Sequence, residues 1–167
     1  MSGTLSIRPA EPKDYPAILR LNEENLSVLA PMDEQVIEQF AVWSELLWVV
    51  EVDGTFAAFL VTFREGVDSY WSENYKWFSA HYPKFLYVDR IVIDEAYRGK
   101  GIGKRVYELI AAHAKNTNVP VVTAEIDIKP IYNDASLRFH EAMGFREVGT
   151  QYVRHGTIKV SLQALEI

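Results

Sequence analysis

The stretch YRGKGIG, Tyr97 to Gly103, places three glycines and two cations in seven residues. Before it runs FLYVDRIVI, Phe85 to Ile93, apolar on both faces as a strand covered on both sides requires. After it, Ile102, Val106, Leu109 and Ile110 recur at helical spacing, so a helix is expected to end near Asn116, and Pro120 forbids its continuation. A strand that feeds through glycines into a helix points backbone N–H groups one way, with the positive end of the helix dipole behind them. Such a turn holds phosphate, although the same glycines would also serve an ordinary tight turn. A P-loop needs GxxxxGK[ST], yet Gly103-Lys104 is followed by Arg105, and no glycine stands five positions before Gly103. A dinucleotide fingerprint needs GxGxxG; Gly99 and Gly101 fit, but the third position holds Lys104. The spelling that remains is [QR]xxGx[GA], matched by Arg98, Gly101 and Gly103.

Working outward, VVTAEIDI, Val121 to Ile128, alternates, with Val122, Ala124, Ile126 and Ile128 on one side and Thr123, Glu125 and Asp127 on the other. The segment from Phe85 to Ile128 is therefore a strand-helix-strand crossover. Upstream, a short strand near Leu5 to Arg8 precedes a helical pattern carried by Tyr15, Ile18, Leu19, Asn22, Leu26 and Leu29, with Asp14 as its expected cap. A second helix is expected from Asp33 to Trp43, burying Val36, Ile37 and Phe40, and two β segments then meet at Asp53-Gly54, a hairpin dipeptide. The segment from Arg64 to Lys84 has no clean period and reads as an inserted loop with one helical turn. Downstream, Asn133 or Asp134 starts a helix that Gly144 ends, and a hairpin turns at His155-Gly156. Hairpins mixed with one crossover predict an α/β fold: a mixed sheet with helices on both faces.

The 167 residues are expected to form one domain with a sizeable core. With no cysteine, the chain has no disulfide scaffold, thiolate metal site or cysteine nucleophile, and no metal site of another kind stands out. A net charge of -6 argues against a general attraction to nucleic acid or anionic lipid. No leader pattern and no apolar run of roughly 18 residues is present, so a soluble, cytoplasmic protein is expected.

The strand, YRGKGIGKRV, the helix, the next strand and then NDASLRFHEAMGF together resemble the GNAT N-acetyltransferase superfamily over roughly 85–145. The resemblance implies a central mixed sheet of about six or seven strands and acetyl-CoA (coenzyme A) as cofactor. It also implies that main-chain amides of Arg98, Gly99, Lys100, Gly101, Ile102, Gly103 and Lys104 grip the pyrophosphate, while the two crossover strands splay to admit the pantetheine arm. A backbone N–H near Ile91, Val92 or Ile93 would polarise the thioester carbonyl. Asn133 and Ser136 match the second family motif and would contact the cofactor, although NDAS before a helix is also what capping alone selects. The position that is usually a tyrosine acid is occupied by His140, which would protonate the leaving thiolate beside the cofactor; Tyr132 is a substitute donor.

Acyl transfer to an amine needs a group that removes a proton from an ammonium of pKa ~10. Three carboxylates are placed for this. Asp89 lies within the apolar central strand, where an unpaired acid costs several kcal/mol. Its neighbour Arg90 points to the opposite face and reads as a poor partner. Glu125 and Asp127 share one face of the next strand and suit a cationic acceptor. His140, Asp89 and Glu125 are the expected catalytic groups. Aromatics crowd the segment from Asp68 to Phe85, and Tyr70, Trp71, Tyr75 and Trp77 are expected, with Asp89, Glu125 and Asp127, to form the acceptor wall. A satellite core cluster or a homodimer contact would use the same rings.

The expected activity is transfer of an acetyl group to a primary amine of a small molecule by direct attack in a ternary complex. A non-catalytic acyl-CoA sensor and a protein lysine or N-terminal acetyltransferase are the alternatives.

Overall fold

Asp53 and Gly54 both take left-handed backbone, φ 51° and 79°, the pair of angles a two-residue hairpin needs to follow the twist of its strands. They join two strands of a computed structural model that describes residues 3–27 and 29–167. Its elements in chain order are β1 (Leu5–Pro9), α1 (Tyr15–Glu23), α2 (Glu34–Trp43), β2 (Leu46–Val52), β3 (Thr55–Arg64), α3 (Glu73–His81), β4 (Leu86–Ile93), α4 (Ile102–Asn116), β5 (Val121–Lys129), α5 (Asp134–Ala142), β6 (Arg146–Val153) and β7 (Ile158–Glu166). The seven strands form one mixed sheet in the order β1-β2-β3-β4-β5-β7-β6. The α/β mixed sheet matches the sequence expectation. By packing, the chain divides into two compact units, Met1–Phe63 with Val88–Tyr107 and Arg64–Tyr87 with Glu108–Ile167.

In the first unit β1, β2 and β3 run antiparallel, with Ile7 opposite Val50 and Val49 opposite Phe59. Residues Ala57 to Val61 are fully buried, which is why β3 is apolar without alternation. Ile18 and Leu21 of α1 and Ile37 and Phe40 of α2 are also buried, and Phe40 meets Phe63 edge to face at 5.2 Å. Asp33 caps α2 by accepting from the Val36 N–H at 2.9 Å. Asp14, by contrast, makes no cap on α1. Its carboxylate accepts two bonds from the Arg8 guanidinium, at 2.8 and 2.9 Å, and one from the Glu11 N–H. A bidentate charged pair outcompetes a neutral cap for the same oxygens, and Arg8 holds the Asp14 carboxyl below the usual range. The helix is also shorter than its apolar pattern, closing at Glu23.

In the second unit β5 pairs antiparallel with β7, placing Thr123 opposite Ala164, Glu125 opposite Leu162 and Asp127 opposite Val160. The parallel ladder of β4 and β5 comprises Leu86↔Val122 and Tyr87↔Thr123. The segment expected to be a loop with one turn contains the nine-residue helix α3. Ser72 caps it by accepting from the Tyr75 N–H, a contribution of ~1 kcal/mol. Periodicity missed this helix because its apolar face is made of rings: Tyr75 and Phe78 are buried against Tyr70, Phe85 and Tyr87 with centroids 5.4 to 6.4 Å apart. On the same helix Trp77 lies against Gly149, where a Cβ would stand 2.6 Å from its ring.

Candidate active site

The glycine turn is built in the first unit. Gly99 and Gly101 take φ of +74° and +81°, and the space a Cβ would enter at either is open. At positive φ an L side chain is strained, so the glycines keep the amides accessible and the turn unstrained. The Arg105 N–H already donates to Gly101 O, starting α4 immediately behind the turn. Arg98 ties the turn down: its Nε donates to Ile93 O at 3.1 Å and its Nη2 to Asn25 Oδ1 at 3.0 Å. Gly99, Lys100, Gly101, Ile102 and Arg105 line a cavity of about 510 Å3 with Leu5 and Val52. A second cavity of about 230 Å3 gathers Ile91, Val92, Ile93 and Arg98 with Asn25 and Leu29. Lys100, Lys104 and Arg105 are exposed at the mouth of the helix, while Gly103 is half-buried inside its first turn. Open space over left-handed glycines, helix-start amides and a ring of cations are the donor set that a diphosphate requires, so these residues fit the nucleotide end of coenzyme A.

Asp89 is paired, and with the neighbour the alternation argument excluded. Arg90 Nε donates to Asp89 Oδ2 at 2.7 Å. Side chains of adjacent strand residues start on opposite faces, but the three-methylene stem of arginine is long enough to carry the guanidinium back. The same guanidinium donates through Nη1 to Asn22 Oδ1 at 2.8 Å and to Ala30 O at 3.2 Å, and lies over the Phe40 ring. Asp89 is thus one member of a buried ionic network that ties β4 to α1.

In the second unit, β5 presents Thr123, Glu125 and Asp127 as one row. Thr123 is fully buried, while Glu125 and Asp127 are half-buried. The Tyr87 hydroxyl donates to Glu125 Oε1 at 2.5 Å. Among the described residues the Asp127 carboxylate has no hydrogen-bond partner; burial pushes its pKa up, and the positive charge of Arg154 offsets only part of that. Of the four aromatic residues expected to line the acceptor wall, Tyr70 and Tyr75 are buried in the ring cluster at 3% and 2% exposure. Tyr75 donates its hydroxyl to Arg64 O and accepts from the Val67 N–H. Trp77 is committed to Gly149 and stacks on His81 at 3.7 Å. Trp71 alone of the four is exposed, at 49%. Tyr70 and Tyr75 therefore belong to a satellite core, because large apolar faces are most stable against one another.

The start of α5 brings together Asn133, Ser136 and His140. Asn133 Oδ1 accepts from the Ser136 N–H at 3.1 Å, and the Asn133 N–H donates to Asp127 O, so the asparagine caps the helix and fastens it to β5. His140 is 7% exposed, with Nδ1 2.7 Å from Ser136 O and 3.3 Å from Ser136 Oγ. A carbonyl partner requires Nδ1 to carry the proton. Burial holds the ring pKa below its ordinary value, so at neutral pH the imidazole is uncharged and its one N–H is already engaged. Tyr132, which precedes Asn133 in the chain, is 63% exposed.

The Tyr87 hydroxyl, Arg154, Asn25 and Leu29 were not singled out from sequence. The first two meet β5 carboxylates through a parallel register and a β6–β7 turn, neither of which leaves a local spelling. Asn25 and Leu29 lay in a stretch read only for helical spacing.

Over residues 14–145 the chain matches the family model of the acetyltransferase (GNAT) family. It belongs to that family. Among solved structures it is similar to a protein provisionally assigned as a phosphinothricin N-acetyltransferase, at 26% identity and a TM-score of 0.71 over 98% of this chain and 99% of the other. The ribosomal-protein-S18-alanine N-acetyltransferase from Escherichia coli shares 19% identity, with a TM-score of 0.72 over 98% and 94%. For yncA from Salmonella typhimurium, a provisionally assigned acetyltransferase solved with its cofactor acetyl-CoA, the values are 19% and 0.65 over 97% and 93%. No curated protein matches the chain significantly in sequence. Among the described residues no helix is long and apolar enough to cross a membrane.

Proposed function

We propose that the protein transfers the acetyl group of acetyl-CoA to a primary amine of a small molecule by direct attack. The observation that carries this reading is the pair of half-buried carboxylates on β5: Glu125 held by Tyr87, and Asp127 with no hydrogen-bond partner among the described residues. An ammonium group is the ligand such a pair attracts, and a carboxylate desolvated as Asp127 is becomes a better proton acceptor. The similarity to a provisionally assigned phosphinothricin N-acetyltransferase supports a small acceptor.

Bound acetyl-CoA supplies the thioester carbonyl as electrophile. The main-chain amides of the Arg98 to Lys104 turn hold its phosphates, and the β4 backbone near Ile91 to Ile93 orients the carbonyl. Glu125 holds the acceptor ammonium, and Asp127 takes its proton and passes it to solvent. The freed nitrogen lone pair attacks the acetyl carbon; the C–N bond forms as the C–S bond breaks. The second proton leaves the nitrogen as the C–N bond forms and would reach the departing sulfur through water, because the His140 N–H is already engaged. The chain has no cysteine to form a thioester intermediate, which favours the single displacement.

Free-thiol release from acetyl-CoA, followed with a panel of amines including phenethylamine, putrescine and alaninamide, tests the reading. Release that depends on one of these amines, and falls at least tenfold in Asp127→Asn, is the expected result. Tight coenzyme A binding with no amine-dependent release would identify a sensor instead.

A further inference from the structure

The cavity bounded by Asn25, Leu29, Ile91, Val92, Ile93 and Arg98 measures about 230 Å3. Its two polar side chains are engaged with each other and with main chain: Arg98 Nη2 donates to Asn25 Oδ1 at 3.0 Å, Arg98 Nε to Ile93 O at 3.1 Å, and Asn25 Nδ2 to Leu21 O at 2.8 Å. The remaining side chains of the wall are aliphatic. Leu29 is set there by its own N–H, which donates to Asn25 O at 3.0 Å, a turn that places residues four apart on one face. Ile91 and Ile93 are only half-buried although β4 is an internal strand of the sheet, whereas Val92 between them is 4% exposed. Aliphatic surface left partly open beside a cavity is stabilised by the hydrocarbon that fills it.

An apolar cavity of about 150 Å3 holds benzene, so this one has more room than the two carbons of an acetyl group can fill. It includes the β4 segment assigned above to orient the thioester carbonyl, and it shares Arg98 with the turn assigned to the phosphates. The acyl chain is the part of an acyl-CoA that continues from that carbonyl with no further polar atom, whereas the amides of the pantetheine arm would meet polar side chains that are already paired. We infer that the cavity is an acyl-chain site, and that the protein transfers acyl groups longer than acetyl, of the butyryl and hexanoyl class, with Leu29 setting the limit. This rests on the coenzyme A reading given above. The bonds are those of acetyl transfer: C–N forms, C–S breaks, and of the two protons the ammonium loses, one leaves through the base and one reaches the departing sulfur.

Calorimetry of the full chain with coenzyme A, acetyl-CoA, butyryl-CoA and hexanoyl-CoA, in the absence of amine, tests the site without reference to the acceptor. The expected result is about tenfold tighter binding of butyryl-CoA than of acetyl-CoA, from two further buried methylenes. Leu29→Trp should erase that difference while coenzyme A itself keeps its affinity, and Leu29→Ala should move the preference towards hexanoyl-CoA. Equal affinities for acetyl-CoA and butyryl-CoA in the unaltered protein would overturn the acyl-chain site. A parallel fall in coenzyme A affinity in Leu29→Trp would give the cavity to the pantetheine arm and overturn it too. Thiol release with phenethylamine, putrescine and alaninamide then tests the activity: turnover of acetyl-CoA at more than a hundred times the kcat/KM of butyryl-CoA would rule out the longer-chain transfer. Tight butyryl-CoA binding with no release from any thioester would instead overturn acyl transfer by this protein, acetyl included. No heat with any of the four, from a chain that circular dichroism shows to be folded, would remove the coenzyme A reading and this site with it.

Discussion

Arg90 and Asp89, consecutive on β4, form an ion pair of 2.7 Å whose side chains are 6% and 4% exposed. Breaking a buried pair strands the remaining charge, which costs about 3 to 5 kcal/mol. Arg90→Met is therefore expected to lose about 3 kcal/mol or more in urea unfolding, with the m-value unchanged. A loss below 1 kcal/mol would mean that water reaches the pair.

Gly149 has no room for a side chain, because Trp77 occupies the place its Cβ would take. Gly149→Ala should lower stability by about 1 to 3 kcal/mol through overpacking. Adding Trp77→Leu should return part of that loss, a coupling that thermal unfolding of the double variant will report. Independent, additive losses would show that the indole does not rest on this strand.

At Gly101 the backbone has φ +81°. A valine there must either strain the turn or rotate its amides away, at about 1 to 2 kcal/mol for a non-glycine residue. Gly101→Val is expected to weaken coenzyme A binding at least tenfold in calorimetry while the far-ultraviolet circular dichroism is preserved. Unaltered affinity would remove the turn from the cofactor site.

His140 is held neutral by burial, with a folded pKa below its ordinary value. In the window from about 6.5 down to that depressed value the unfolded chain binds a proton that the folded one does not. Stability should consequently fall as pH drops through this window, and the slope should diminish in His140→Gln. The His140 ring resonances followed by NMR should titrate below the ordinary imidazole range; an ordinary titration at His140 would contradict its burial.

Asp127 is shifted the other way, upward, by burial. If it accepts the ammonium proton, kcat/KM must decline as pH falls through its pKa, and the raised pKa moves that decline above the ordinary carboxylate range near 3.9. Asp127→Asn should abolish this limb along with most of the activity. A limb that survives the substitution assigns the base elsewhere.

The order of elements around YRGKGIG was legible because each element there is written in local terms. The apolar run of β4, the glycines, the helical spacing of α4 and the alternation of β5 all act within a few residues of one another. Glu125 and Asp127 were found for the same reason, since period two puts them on one face. What misled were cases where reach or company decides. Arg90 was excluded as a partner by strand alternation, a rule for Cβ atoms that a long guanidinium stem does not obey. The α3 segment lacked an aliphatic stripe because rings do its packing, and Tyr70 and Tyr75, two of the four rings expected in the acceptor wall, pack against each other.

The sequence by itself determined the succession of strands and helices, the turn at Gly99 to Gly103 and the family, because backbone conformation at glycines and the periodicity of apolar residues are local properties. Only the tertiary structure decided which acid is tied and which is not: Asp89 to Arg90, Glu125 to Tyr87, and Asp127 to neither. Hydrogen bonding and desolvation depend on neighbours that strand register brings from 38 residues away in the case of Tyr87 and Glu125, and register is a property of the whole sheet.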